Sequence, residues 1–215
     1  MTDEIKNSEP NKWDIDNLPN RLTLFRVALI PIIVISLGID LTSFEWDPEL
    51  KLTLGYVAAW TFVAASITDF VDGYVARKKN IVTIFGSFLD PIADKFLVVT
   101  SLILLQALDR IPPFLVIILV LRELYMTSLR LLASDHGLSV PVNNLGKWKT
   151  ATQMVAIPLL MAFDKPWGIP MPLIGTSLIY VAAFLSLYSA LQYSLGLIKK
   201  IQIKRKNLKA QKSLS

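Results

Sequence analysis

Six stretches of predominantly apolar residues divide the chain. They run from Leu22 to Ile39, Leu50 to Ala76, Ile84 to Leu108, Pro113 to Ala133, Thr150 to Phe163 and Met171 to Ile198. A helix needs about 20 mostly apolar residues to cross a bilayer, and five of the six reach or approach that length. The fifth is shorter and carries Pro158, which kinks helices but is tolerated inside membrane spans. The pattern predicts an all-α polytopic membrane protein of six transmembrane helices with a cytoplasm-facing polar cavity. It divides into a polar tail over residues 1–16, a six-helix domain over 17–203 and a basic tail over 204–215.

Composition agrees with that pattern. The chain is 53% hydrophobic with a mean hydropathy of +0.50, too apolar for an ordinary soluble domain. The first 20 residues are polar, without the apolar core of a cleavable signal, so the first span is expected to act as an uncleaved insertion signal. The absence of cysteine excludes disulfides, thiolate catalysis and zinc–thiolate sites. The lone histidine, His136, reads as a solvated loop residue, so a metal would be held by oxygen.

Charge sets the orientation. With both termini on one side, that side carries 17 Lys and Arg, among them Lys6, Lys12, Arg21, Arg77 to Lys79 and the seven between Lys199 and Lys212. The other side carries only Lys51, Arg110 and Lys165. The positive-inside rule then places both termini in the cytoplasm. Trp46 and Trp167 are expected at the outer interface, and Trp13 and Trp148 at the inner one. The basic tail reads as an anchor to anionic lipid, and no nucleic-acid partner is expected because no binding fold accompanies it.

Against this background four carboxylates stand out. Asp69, Asp72, Gly73 and Ala76 fall at i, i+3, i+4 and i+7, one stripe of a helix. Gly86, Asp90 and Asp94 fall at i, i+4 and i+8, again one stripe. The loop between the two spans is short, which makes them antiparallel neighbours able to face their acids into one cleft. A charge in hydrocarbon costs about 2.5–3.5 kcal/mol even on the lenient insertion scale. Four like charges together would repel and take up protons unless cations joined them. Carboxylate oxygens suit Mg²⁺, Mn²⁺ or Ca²⁺, and four acids can hold two ions about 3.5–4 Å apart, as in phosphoryl chemistry. With the third span entering near Thr83, Asp94 lies roughly 16 Å deep at about 1.5 Å per residue. Pairing of single acids with Lys95 or Arg122 is the structural alternative.

The eight positions D-x2-D-G-x2-A-R-x8-G-x3-D-x3-D, from Asp69 to Asp94, resemble the signature of the CDP-alcohol phosphatidyltransferase family at every required spacing. The resemblance implies six transmembrane helices, two Mg²⁺ or Mn²⁺ ions, a homodimer and a bacterial inner membrane with the site on the cytoplasmic side. The segments Asn17 to Pro31, Arg122 to Arg130 and Gly146 to Gln153 are similar to those of members that use a glycerol phosphate acceptor. The implied reaction joins CDP-diacylglycerol and sn-glycerol 3-phosphate into phosphatidylglycerophosphate and CMP. Serine, inositol phosphate or another acceptor would keep the same chemistry, and a divalent-cation transporter is the alternative from a different class.

The resemblance also implies roles. Asp94 is the expected general base, and Asp69, Asp72, Asp90 and Asp94 the metal ligands. CDP is expected on Asp69, Asp72, Gly73, Ala76, Arg77 and Gly86, with the small residues leaving room for cytidine. Arg77 suits a phosphate by its planar fork, or anchors at the interface beside Lys78 and Lys79. The acceptor's phosphate needs a second cationic group, for which Arg26, Arg122, Arg130, Lys147 and Lys149 are available. Glu123 or Asp90 is an alternative partner for Arg122, and interfacial anchoring is the alternative for Lys147 and Lys149. Asn20 and Thr23 are expected to cap the first helix.

Overall fold

A computed structural model describes residues 18–42, 47–79, 84–135, 137 and 144–212. The polar N-terminal tail, Trp13, Trp46, the loop between the second and third spans, and His136 lie outside the described residues. Among the described residues six helices follow in order: α1 (Leu18–Thr42), α2 (Pro48–Lys79), α3 (Ile84–Ala107), α4 (Pro113–Asp135), α5 (Asn144–Ala162) and α6 (Met171–Lys212), with one 3-10 turn at Pro166–Gly168. There is no strand among the described residues.

Each expected apolar stretch became a helix, and most helices extend beyond it. A span ends where hydrocarbon ends, whereas a helix ends where its hydrogen bonding stops. Lys, Arg, Gln and Leu are good helix formers, so α6 continues through the basic tail to Lys212. The start of α1 at Leu18, with Pro19 in its first turn, corrects the expected role of Thr23. Thr23 lies a turn and a half inside the helix and is buried, so it is not the N-cap.

Among the described residues three helical segments are long and apolar enough to cross a membrane by length and composition: Arg21–Thr42, Pro48–Val71 and Met171–Lys204. α4 holds Arg122, Glu123 and Arg130, and α5 has Lys147 and Lys149 in its first turns. Large apolar side chains point outward, with Trp60 at 69%, Phe70 at 74% and Phe184 at 70% exposure. Extensive apolar exposure of this kind marks contact with lipid or a partner. Apolar surface on both faces gives these helices an inside packed on protein and an outside suited to hydrocarbon.

The chain divides into two units. In the first, α1 packs on both α2 and α3, joined by Met161–Asp164. The buried stripe of α1 runs through Thr23, Arg26, Ile33 and Leu37, and that of α2 through Gly55, Ala58, Phe62 and Ala65. On α3 the stripe holds Leu97, Ser101 and Leu105. Small residues let backbones approach where lipid offers no hydrophobic drive between helices. Gly55 shows how close: a Cβ there would lie 2.6 Å from the Met161 carbonyl oxygen. Nearby, the Tyr56 hydroxyl donates to Asp164 Oδ2 at 2.6 Å. Helix hydroxyls in this unit bond back into their own helices, as Ser66 to the Phe62 carbonyl and Ser101 to the Leu97 carbonyl do. No lone polar group of these side chains is thereby left to hydrocarbon.

In the second unit α4 packs on α6. Met126 and Ala133 of α4 meet Ala190, Tyr193 and Leu197 of α6. On α4 the buried positions Leu115, Leu119, Arg122, Met126 and Ala133 follow a spacing of four and three, a seam of coiled-coil type.

Candidate functional site

The acid site grows out of the packing stripes of the first unit. Asp69 lies four residues past Ala65 and seven past Phe62, so the buried face of α2 leads into it. Asp94 precedes Leu97 by three and Ser101 by seven, the corresponding position on α3. Arg26 lies seven residues before Ile33 on the packed face of α1 and is wholly buried. Three helices that meet through one core therefore deliver two carboxylates and a guanidinium to one place.

The guanidinium bridges the acids. Arg26 Nη2 lies 2.9 Å from Asp69 Oδ1, and Arg26 Nη1 donates to Asp94 Oδ1. About a third of each carboxylate side chain remains exposed, 32% for Asp69 and 38% for Asp94, while Arg26 has none. The acids thus open outward and the cation backs them from inside. Asp72, Gly73, Ala76 and Arg77 lie on α2, and Gly86 and Asp90 on α3, but their side chains lie outside the described residues. Among the described residues no group of three or more His, Cys, Asp or Glu gathers to hold a metal. The structure brings together two of the four expected ligands.

Arg26 was expected among the cations for the acceptor's phosphate. The structure places it between Asp69 and Asp94. Those partners sit on other helices, 68 residues away in the case of Asp94, so no local pattern marks the pairing.

A second charged cluster lies in the other unit. Arg122 occupies the α4 seam opposite α6, where its Nε donates to the Ser186 carbonyl at 3.1 Å and its Nη2 to Ser189 Oγ at 2.7 Å. Its Nη1 lies 3.1 Å from Glu123 Oε2, and the same oxygen accepts from Lys149 Nζ at 2.8 Å. Arg122 and Lys149 are both buried, and Arg130 and Lys147 are exposed. Of the two partners weighed for Arg122, Glu123 lies within 3.1 Å, and the Asp90 side chain lies outside the described residues. Ser186 and Ser189 escaped the sequence reading. Their spacing of three on one helix face was the available signal, and nothing in it pointed to an arginine.

Chemically the first cluster offers oxygen ligands backed by a fixed positive charge. The second offers two buried cations sharing one acid, a surplus of positive charge that suits an anion.

The sequence model for CDP-alcohol phosphatidyltransferases matches residues 16–188. A Bacillus subtilis protein named CDP-diacylglycerol–glycerol-3-phosphate 3-phosphatidyltransferase is 41% identical, with 82% of this chain and 93% of that protein covered. A Rickettsia bellii protein of the same name is also 41% identical, over 83% of this chain and 93% of its own length. A rice protein named cardiolipin synthase (CMP-forming) is 38% identical over 82% of this chain and 56% of its own length.

Proposed function

The chain belongs to the CDP-alcohol phosphatidyltransferase family, and from that premise we propose that it transfers the phosphatidyl group of CDP-diacylglycerol to sn-glycerol 3-phosphate. The products are phosphatidylglycerophosphate and CMP. The relatives that carry this activity in their names support the choice of acceptor, and they match nearly their whole length. The observation that carries the chemistry is the convergence of Asp69 and Asp94 from separate helices onto one guanidinium. Carboxylates that share one cation are close enough to share another, and their all-oxygen donor set fits a hard divalent ion.

Asp69, Asp72, Asp90 and Asp94 would hold two ions of the Mg²⁺ or Mn²⁺ class, which when bound offset the charge of the pyrophosphate and of the departing CMP. Asp94 takes the proton from the acceptor's primary hydroxyl, a poor nucleophile while protonated. The hydroxyl oxygen then forms its bond to the phosphorus that bears diacylglycerol, and the bond from that phosphorus to the CMP oxygen breaks. Gly73, Ala76 and Gly86 leave room for the cytidine, and Arg77 pairs with a phosphate of the nucleotide. We assign the acceptor's phosphate to Arg122, Arg130, Lys147 and Lys149, and Arg26 to the acid end. The buried, paired state of Arg122 and Lys149 supports that assignment, because both already carry an oxyanion partner in Glu123.

The same reading has six membrane spans around a polar cavity that opens to the cytoplasm, in a homodimer of the bacterial inner membrane. The Lys and Arg bias supports the orientation. α3, α4 and α5, at 24, 23 and 19 residues, have lengths compatible with the three further spans.

Purified protein supplied with CDP-diacylglycerol and one alcohol at a time tests the acceptor through CMP release. Release is expected with glycerol 3-phosphate. The absence of CMP there, with release on serine, inositol phosphate or phosphatidylglycerol, refutes the assignment.

A further inference from the structure

We propose that Arg26 is a positioning residue of the acid site, a built-in cation that holds Asp69 and Asp94 together and competes with the divalent ions for their oxygens. The inference rests on the metal reading above. Arg26 is wholly buried and reaches Asp69 Oδ1 at 2.9 Å and Asp94 Oδ1 through its two terminal nitrogens. It spends both of those nitrogens on the acids. A guanidinium cannot lose its proton in a protein, so this charge is permanent. Asp69 and Asp94, carboxylates of two different helices, gain in Arg26 a shared counter-charge that offsets repulsion between them.

The same charge acts against a second cation. An ion arriving at oxygens already hydrogen-bonded to Arg26 meets a like charge a few ångströms away, in a setting where water screens poorly. Arg26 therefore keeps the acids folded toward each other and lowers their affinity for metal. The two acids are a third exposed while Arg26 is not, so a divalent ion would be held by the exposed oxygens with the arginine opposing it. A residue that merely braced the fold would have the opposite effect. Without the brace the acids would drift apart, and metal binding would weaken. The sign of the change in metal affinity separates the two roles.

The test uses the full chain in detergent, with Mn²⁺ as the probe and no substrate. The paramagnetic resonance signal of free Mn²⁺ reports binding. Arg26→Gln is expected to bind Mn²⁺ about tenfold more tightly than the unchanged protein. Its melting temperature in EDTA should fall, and the rise produced by Mn²⁺ should exceed that of the unchanged protein. Arg26→Lys keeps the charge but lacks the fork that holds both acids, and its affinity should lie between the two. If Arg26→Gln does not fold without metal, Arg26→Lys carries the comparison. Equal or weaker Mn²⁺ binding in the variants overturns the proposal while the metal reading stands. Failure of the unchanged protein to bind Mn²⁺ at all removes the metal reading and this inference with it.

Discussion

Replacing Glu123 by Ala removes the carboxylate that Arg122 and Lys149 share among the described residues. Its Oε2 lies 3.1 Å from Arg122 Nη1 and 2.8 Å from Lys149 Nζ, and both cations are buried. A pair of unit charges about 4 Å apart is worth about 4 kcal/mol at an effective dielectric of about 20. Much of that is repaid as desolvation, yet truncating one partner leaves the others buried and unmatched, which costs about 3–5 kcal/mol in fully buried pairs. The Glu123 side chain is 31% exposed, so water offsets part of the loss and about 2–3 kcal/mol is expected. Equilibrium unfolding in mixed micelles, with helix signal as readout, measures it. Adding Lys149→Met to Glu123→Ala should recover more than half of the loss, because the charge that lacked a partner is gone. A loss below about 0.5 kcal/mol, or no recovery in the double variant, would show that the cluster is not held by its carboxylate.

Other outcomes follow from the same geometry. Asp94→Asn should fold and keep part of its metal binding but release no CMP from CDP-diacylglycerol and glycerol 3-phosphate; turnover at the normal rate would exclude Asp94 as the base. Asp69→Ala should raise the Mg²⁺ concentration needed for half-maximal CMP release by tenfold or more on the order-of-magnitude scale of a lost carboxylate ligand, and an unchanged requirement would remove Asp69 from the ligand set. Gly55→Ala gains up to about 1 kcal/mol of helix propensity but puts a Cβ 2.6 Å from a backbone oxygen, an overpacking cost of about 1–3 kcal/mol. Its melting temperature should fall, and a rise would mean that α2 and the Met161 backbone can separate freely.

Helices were legible because apolar runs announce them, and their ends were not. α6 passes Ile198 and α5 begins before Thr150 because Lys, Gln and Leu favour helix on either side of a membrane boundary. The helical repeat also made the acid stripes legible, since i, i+3 and i+4 arithmetic needs only one segment. One residue of each stripe, Asp69 and Asp94, bonds to Arg26, and the side chains of the other stripe residues lie outside the described residues. The agent was hidden: extensive packing joins α1 to each of the other two helices, and the bridging cation comes from α1. Glu123 was visible as a neighbour of Arg122, but its bond to Lys149 closes across 26 residues and a helix connection. Contacts of that kind depend on how helices rotate against each other, which a periodic pattern constrains only to the width of a stripe.

The unbroken course of α6 decides which of its lysines a lipid surface can feel. At about 1.5 Å per residue, 42 residues extend roughly 63 Å, about twice the hydrocarbon thickness of a bilayer. A straight rod lifts each successive cation farther from the headgroups, so Lys212 stands about 20 Å beyond Ile198, past the Debye length of about 8 Å. On the proposed reading, with the span ending near Ile198 and the tail on anionic lipid, Lys199, Lys200 and Lys204 would carry most of that attraction.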